Sequence, residues 1–206
     1  DWEGIELYTV PTARTRILRM RVDMDPWTDN KVRQALKLCQ QRQKILDLAY
    51  FGQGLLGQDH HVSPAHPDYA EVPPPEYDTE KAKALLAEAG YPDGLDVEIA
   101  VGSGWDDIVA YAETLKQDAE PAGFRITLNS MPNSQYWELW TEVDLGITSW
   151  THRPLGTMAL ELAYTCDQDG NPVPWNETRW CDEEFSTLLA EANATPDVEQ
   201  RRGIME

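Results

Sequence analysis

Basic residues are scarce in this chain of 206 residues: 17 lysines and arginines stand against 36 aspartates and glutamates, and the formal net charge at pH 7 is −19. Such a chain lacks the cationic surface that neutralises phosphates, which argues against nucleic-acid binding. No apolar run approaches the roughly 18 residues of a membrane-spanning helix, so we predict no transmembrane segment. The first residues also lack the basic start and apolar stretch of a signal peptide.

Catalytic motifs are also missing. The sequence contains no nucleophile elbow, no phosphate loop and no pair of cysteines separated by two residues. His60, His61 and His66 lie with Asp59 in a proline-rich segment, where they could hold a metal, but their spacing matches no standard metal site. We expect these histidines to form a solvated surface cluster. We also expect the protein to have no cofactor and no enzymatic activity. A metal- or carboxylate-dependent hydrolase that uses this histidine region is the alternative.

What the sequence does contain is an alternation of strand and helix patterns. Strand patterns cover residues 16–23, 96–101, 125–128 and 144–149. Helix patterns cover residues 32–39, 45–49, 78–90, 105–119, 133–142, 182–192 and a last segment after 196. Residues 57–77, rich in proline, are predicted to be an extended surface crossing. The alternation predicts that residues 1–206 form one α/β lobe, with a largely parallel sheet flanked by helices.

Two of the predicted strands end in unusual side chains. The strand at 96–101 is followed by Ser103 and Trp105. The strand at 144–149 is followed by Trp150, Thr151, His152 and Arg153. Ligands of open α/β sheets lie beyond the carboxyl ends of the strands, and parallel strands present those ends at one edge. We therefore predict a ligand site at this edge. His152 either orients the ligand or packs internally.

Several motifs resemble a known family. Residues 29–36 (DNKVRQAL), 42–45 (RQKI) and 77–91 (YDTEKAKALLAEAGY) are similar to segments of the peptide-binding class, family 5, of the bacterial ABC-transporter extracellular solute-binding proteins. The remaining matches follow in the family's order: residues 123–126, 144–145, Trp150, Asn176 and the helix at 182–192. The resemblance implies a periplasmic-binding-protein-like lobe, and it adds Asn176 to the predicted ligand-binding residues.

The resemblance also implies a place and a role. Family members lie in the periplasm or on the outer face of the cell membrane, close over a peptide or similar small solute, and deliver it to the permease of an ABC transporter. The chain would be the C-terminal lobe of a larger protein, and we expect it to be a fragment or a processed product. Because that compartment is oxidising, we expect Cys166 and Cys181 to form a disulfide and Cys39 to remain a buried free thiol.

The chain departs from the family at Arg153. Dipeptide- and oligopeptide-binding members typically carry an aspartate at this position, three residues after the tryptophan, where it neutralises the amino terminus of the peptide. A guanidinium instead favours a carboxylate or phosphate. Either Arg153 anchors an anionic group of the solute, or it pairs with an acidic side chain of its own chain.

We expect the tryptophans to lie mostly in the core or between lobes.

Overall fold

The computed structural model of the chain describes residues 4, 6, 8–73 and 76–206, so positions 74–75 of the predicted crossing lie outside the described residues, as do most of the first seven positions. The strands are β1 (Thr15–Met20), β2 (Leu95–Gly102), β3 (Phe124–Met131) and β4 (Leu145–Trp150). The helices are α1 (Asn30–Leu38), α2 (Arg42–Tyr50), α3 (Thr79–Glu88), α4 (Asp106–Ala119), α5 (Asn133–Leu139), α6 (Gly156–Tyr164), α7 (Glu183–Ala194) and α8 (Val198–Met205). No described helix is both long and apolar enough to cross a membrane.

The four strands form one sheet in the order β1-β4-β2-β3. Strand β2 runs parallel to both β3 and β4, whereas β1 runs antiparallel to β4 at the edge of the sheet. The predicted α/β class is therefore confirmed, with β1 as the exception to the parallel arrangement. Thr15, the first residue of β1, pairs with Trp150, the last residue of β4. The chain therefore enters β1 beside the carboxyl end of β4.

Aspartate caps start four of the helices. Each side chain accepts a hydrogen bond from a backbone N–H in the first turn, at 2.7 to 2.9 Å, which satisfies a group that the helix leaves unpaired. The capping residues are Asp29, Asp78, Asp182 and Asp197. The apolar sides of α1 and α4 then pack with the sheet into the main core, which contains Leu36, Ile99, Ile108, Leu115 and Ile147. These caps are local features of the sequence, which makes the starts of these four helices predictable.

Helix α6 lies in a stretch for which we predicted neither a helix nor a strand. Its N-cap residue, Leu155, provides no side-chain hydrogen bond to the first turn. Asp68, in the proline-rich crossing, accepts a hydrogen bond from the Gly156 N–H at 3.0 Å instead. The start of α6 is thus capped by a residue far away in the sequence, and no local pattern announces it.

The proline-rich crossing contains no helix or strand among its described residues, but our prediction that its histidines form a solvated cluster is wrong. His61 and His66 are 2% and 4% exposed. The His61 ring lies edge-on to Trp150 and Tyr164, with ring centroids 4.5 and 5.2 Å apart. His66 Nδ1 accepts a hydrogen bond from the Ser63 N–H at 3.0 Å. The part of the crossing around His61 therefore packs against β4 and α6.

A disulfide joins Cys166 to Cys181, the pair expected from the sequence, with their Cα atoms 5.8 Å apart. The loop that it closes contains Trp175 and Glu177. Cys39 is a buried free thiol, as predicted, and burial raises its pKa to about 12.

The burial of His61 predicts a specific loss of stability in acid. Burial lowers the pKa of His61 to about 3 from an ordinary value of 6.5. Between these two values the unfolded chain binds a proton that the folded chain does not. The free energy of unfolding should therefore fall as the pH is lowered through this window, by up to about 1.4 kcal/mol per pH unit. The change H61F keeps a ring between Trp150 and Tyr164 and should remove this part of the slope.

Denaturant unfolding of the native chain and of H61F across the same pH window measures the difference. If the two proteins lose stability in parallel, His61 does not titrate as its burial requires.

Candidate ligand-binding site at the strand exits

The two strand exits singled out in the sequence do meet at one edge of the sheet. Strands β2 and β4 are parallel neighbours, with Ala100 paired to Gly146. The exit of β3 joins them, because Asn133 Oδ1, at the start of α5, accepts a hydrogen bond from the Gly104 N–H at 2.9 Å. The carboxyl ends of three strands therefore form one continuous surface.

Five tryptophans form a connected row along this edge, which we call the indole row: Trp105, Trp137, Trp140, Trp150 and Trp175. Successive rings contact edge to face, with centroids 5.4 Å apart for Trp105–Trp137, 5.5 Å for Trp137–Trp140, 6.1 Å for Trp140–Trp175 and 5.9 Å for Trp150–Trp175. This is a favoured geometry for aromatic pairs. Trp137 and Trp175 are 42% and 44% exposed. The row therefore offers aromatic surface to solvent at these two rings. Trp150 is only 5% exposed, which corrects its assignment as a direct ligand contact, and Trp27 lies in the core.

Local sequence explains part of the row. Trp137 in α5 and Trp140, the C-cap residue of that helix, are three residues apart, a spacing that places side chains next to each other on a helix. Gly102 has no side chain, and a Cβ atom there would collide with the Trp105 ring. The Trp105 ring can therefore lie back against the end of β2. Trp175 lies in the loop closed by the disulfide.

A buried ion pair lies beneath the row and was not predicted. The Arg19 Nε atom donates to Glu177 Oε2 at 3.0 Å, and the two side chains are 0% and 1% exposed. The same carboxylate accepts hydrogen bonds from Thr148 Oγ1 at 2.6 Å and from Trp150 Nε1 at 2.8 Å. Thr148 Oγ1 in turn shares a hydrogen bond with Tyr136 Oη at 2.7 Å. One carboxylate thus fixes the Trp150 indole and links β1, β4 and α5.

The Arg19 guanidinium completes the network. Its two Nη atoms donate to the backbone carbonyls of Trp140 and Val143, where α5 ends. Gly146 lies opposite Arg19 in the β1–β4 register, and a Cβ atom there would come within 3.0 Å of the guanidinium. The glycine therefore leaves room for a charged side chain to cross the strand. Burial raises the pKa of Glu177, and the facing guanidinium opposes that rise.

Arg153 lies at one end of the indole row and is partly exposed. Its Nη1 atom donates to Thr151 Oγ1 at 2.7 Å and to the His152 carbonyl at 3.2 Å, and its Cζ atom lies 5.9 Å from the centre of the Trp175 ring. Within the part of the chain that the structure describes, Arg153 forms no ion pair with a carboxylate, so the internal pairing that the sequence left open is not observed there.

The other predicted residues divide into two groups. Ser103, Thr151 and His152 are exposed at the edge, and His152 Nδ1 accepts a hydrogen bond from the Ala13 N–H at 3.2 Å. Asn176 is 0% exposed. Its amide donates to the carbonyls of Thr165 and Trp180 at 3.2 and 2.7 Å. Asn176 therefore holds the loop that carries Trp175 and cannot face a solute, which corrects its assignment as a ligand contact.

Residues 2–171 match the family described as bacterial extracellular solute-binding proteins, family 5, middle region. The chain belongs to this family. The match covers the sheet, the proline-rich crossing and helices α1 to α6. Family membership therefore confirms the resemblance drawn from the sequence motifs.

Individual relatives are distant. The glutathione-binding protein GsiB of Salmonella paratyphi A is 24% identical over 97% of this chain and 40% of its own length. The dipeptide-binding protein of Escherichia coli is 26% identical over 97% of this chain and 38% of its own length. The solved structure of HbpA2 from Haemophilus parasuis superposes with a TM-score of 0.81 at 28% identity, over 94% of this chain and 39% of that one. The chain thus spans about 40% of the length of the curated relatives it matches.

The buried pair can be tested by replacing one or both charges. The changes R19M and E177M each leave the other charge buried without its partner, which typically costs about 3–5 kcal/mol of stability. The double change R19M/E177M should recover most of that loss, because two well-packed apolar side chains can replace a buried ion pair. The Trp150 Nε1–H would still lack its acceptor in this variant. It would regain one in R19M/E177Q, because glutamine retains a side-chain oxygen.

Urea unfolding measures the stabilities of the variants. Hydrogen exchange of the Trp150 Nε1–H shows whether this N–H has a hydrogen-bond acceptor. Exchange should be fast in R19M/E177M and slow in R19M/E177Q. Single variants as stable as the native chain, or equal exchange in the two double variants, would show that the pair does not hold the indole.

Proposed function

We propose that this chain is the C-terminal, solute-contacting lobe of the capture protein of an ABC importer, and that it binds a peptide or similar small solute at the strand exits. The family supplies the first part of the proposal, since its described role is extracellular solute binding. The names of two relatives, glutathione-binding protein and dipeptide-binding protein, support a peptide as the class of solute. By the same reasoning we propose a periplasmic or outer-surface location and a membrane permease as partner.

One observation carries the assignment of the site: the Arg153 guanidinium lies at the exposed strand exits without a carboxylate partner among the described residues. Acidic residues outnumber basic ones by 36 to 17, so internal partners for an arginine are plentiful. The neighbouring hydroxyl and carbonyl orient Arg153 without neutralising it. We therefore propose that its charge is neutralised by an anionic group of the solute, with Ser103, Thr151 and His152 as the surrounding polar surface.

The hydrolase alternative receives no support from the geometry. His60 Nδ1 accepts a hydrogen bond from the Val62 N–H at 3.2 Å, and His66 Nδ1 accepts one from the Ser63 N–H. The His61 ring is packed between the rings of Trp150 and Tyr164. In the described ranges, no three His, Cys, Asp or Glu side chains are grouped closely enough to hold a metal.

Removing the charge of Arg153 tests the proposal. In the intact protein, R153A should weaken the binding of glutathione or of alanyl-phenylalanine by at least about tenfold, which corresponds to about 1.4 kcal/mol. R153D should weaken binding further, because it places a carboxylate against the anionic group. R125A is the matched control: Arg125 is also an arginine, but it pairs with Asp96 at the opposite edge of the sheet.

Calorimetric titration of the four proteins with both peptides gives the affinities. Equal affinity of R153A and the native protein would make Arg153 structural. If neither peptide binds the native protein, the peptide class itself is wrong, and mass spectrometry of the solute that co-purifies would identify the correct one.

A further inference from the structure

We infer that the site selects a peptide whose C-terminal residue is aromatic, with the terminal carboxylate on Arg153 and the ring packed against the exposed indoles of the row. This inference rests on the proposed function, and it adds a preference that neither the family nor the names of the relatives imply.

The exposure of the row is the first step. Trp137 and Trp175 each leave more than two-fifths of their surface open, although tryptophan is among the side chains that gain most from burial. Both belong to one connected aromatic surface at the strand exits, where ligands of such sheets bind. An apolar surface of this kind, rimmed by polar residues, typically marks a binding site.

The position of the charge is the second step, and it fixes the kind of occupant. The Arg153 Cζ atom lies 5.9 Å from the centre of the Trp175 ring. A carboxylate bound to this guanidinium is therefore within one side chain's reach of the indole. A C-terminal aromatic residue carries its carboxylate and its ring on the same Cα atom, so it can satisfy both groups at once. An internal or N-terminal aromatic residue carries its ring at least one residue farther from the terminal carboxylate, and so farther from Trp175.

The rigidity of the row is the third step. The Trp150 indole is tied to Glu177, and Arg19 binds the carbonyl of Trp140. Trp175 lies two residues before Glu177, in a loop that the disulfide closes and that the Asn176 amide holds. A surface that is ordered before the solute arrives loses little conformational entropy on binding, so more of the contact energy appears as affinity.

Four peptides separate the contributions of ring, order and charge: alanyl-phenylalanine, phenylalanyl-alanine, alanyl-alanine and alanyl-phenylalanine amide. Titrated into the intact protein, alanyl-phenylalanine should bind at least about tenfold more tightly than each of the other three. The reversed dipeptide contains the same atoms, so the comparison isolates the position of the ring. The amide isolates the carboxylate, and R153A should abolish the difference between acid and amide.

Two variants locate the ring. W175A should remove most of the preference for alanyl-phenylalanine over alanyl-alanine, and W137A should remove part of it, with the preference taken as the ratio of the two affinities in the same variant. Y77A is the matched control, because Tyr77 is 42% exposed, as Trp137 is, but lies just before α3, outside the row. It should leave the preference intact.

The outcomes are distinct. Binding of all four peptides with similar affinity would overturn the inference and leave the proposed function standing. An unchanged preference in W175A would also overturn it, because the peptide ring would then bind somewhere other than Trp175. Binding of none of the peptides would overturn the inference together with the proposed peptide class.

Discussion

The buried ion pair between Arg19 and Glu177 is the constraint on which the candidate site depends. A charge buried in a protein is tolerated only where its partners satisfy it, and here the partners are the residues that form the site. Glu177 binds the Trp150 indole, while Arg19 binds the end of α5. Loss of either charge would therefore disturb the strand exit and the helix together. The pair therefore holds the Trp150 indole and the end of α5 in place behind the exposed rings.

The fold could be predicted from the sequence where the signals are local. Asp29 and Asp78 precede apolar stripes, and both are N-caps in the structure. The rule that parallel strands present their carboxyl ends at one edge correctly brought Ser103, Trp105 and Arg153 to the same surface. The antiparallel direction of β1 was missed, because the strand pattern at Arg16–Asp23 contains no information about its neighbour.

The remaining features depend on contacts between distant parts of the chain. Arg19 and Glu177 are 158 residues apart, and neither residue lies in a recognisable motif. Helix α6 was missed because its cap, Asp68, comes from the proline-rich crossing. The histidines were misjudged for the same reason: a segment without periodicity can still be buried when another element covers it. Trp137 and Trp140 did carry a usable local signal, since their spacing places them side by side in the helix predicted at 133–142.

The central claim is that solute binds at the strand exits, on the indole row beside Arg153. The most direct test is the indole Nε1–H spectrum of the intact protein, labelled with ¹⁵N at tryptophan and titrated with alanyl-phenylalanine. The account predicts that the signals of Trp137 and Trp175, assigned by single replacement with phenylalanine, shift as the peptide saturates the protein. The signal of Trp27, whose Nε1 atom donates to Asp144, should stay in place. Saturation without movement of the Trp137 and Trp175 signals would contradict the account.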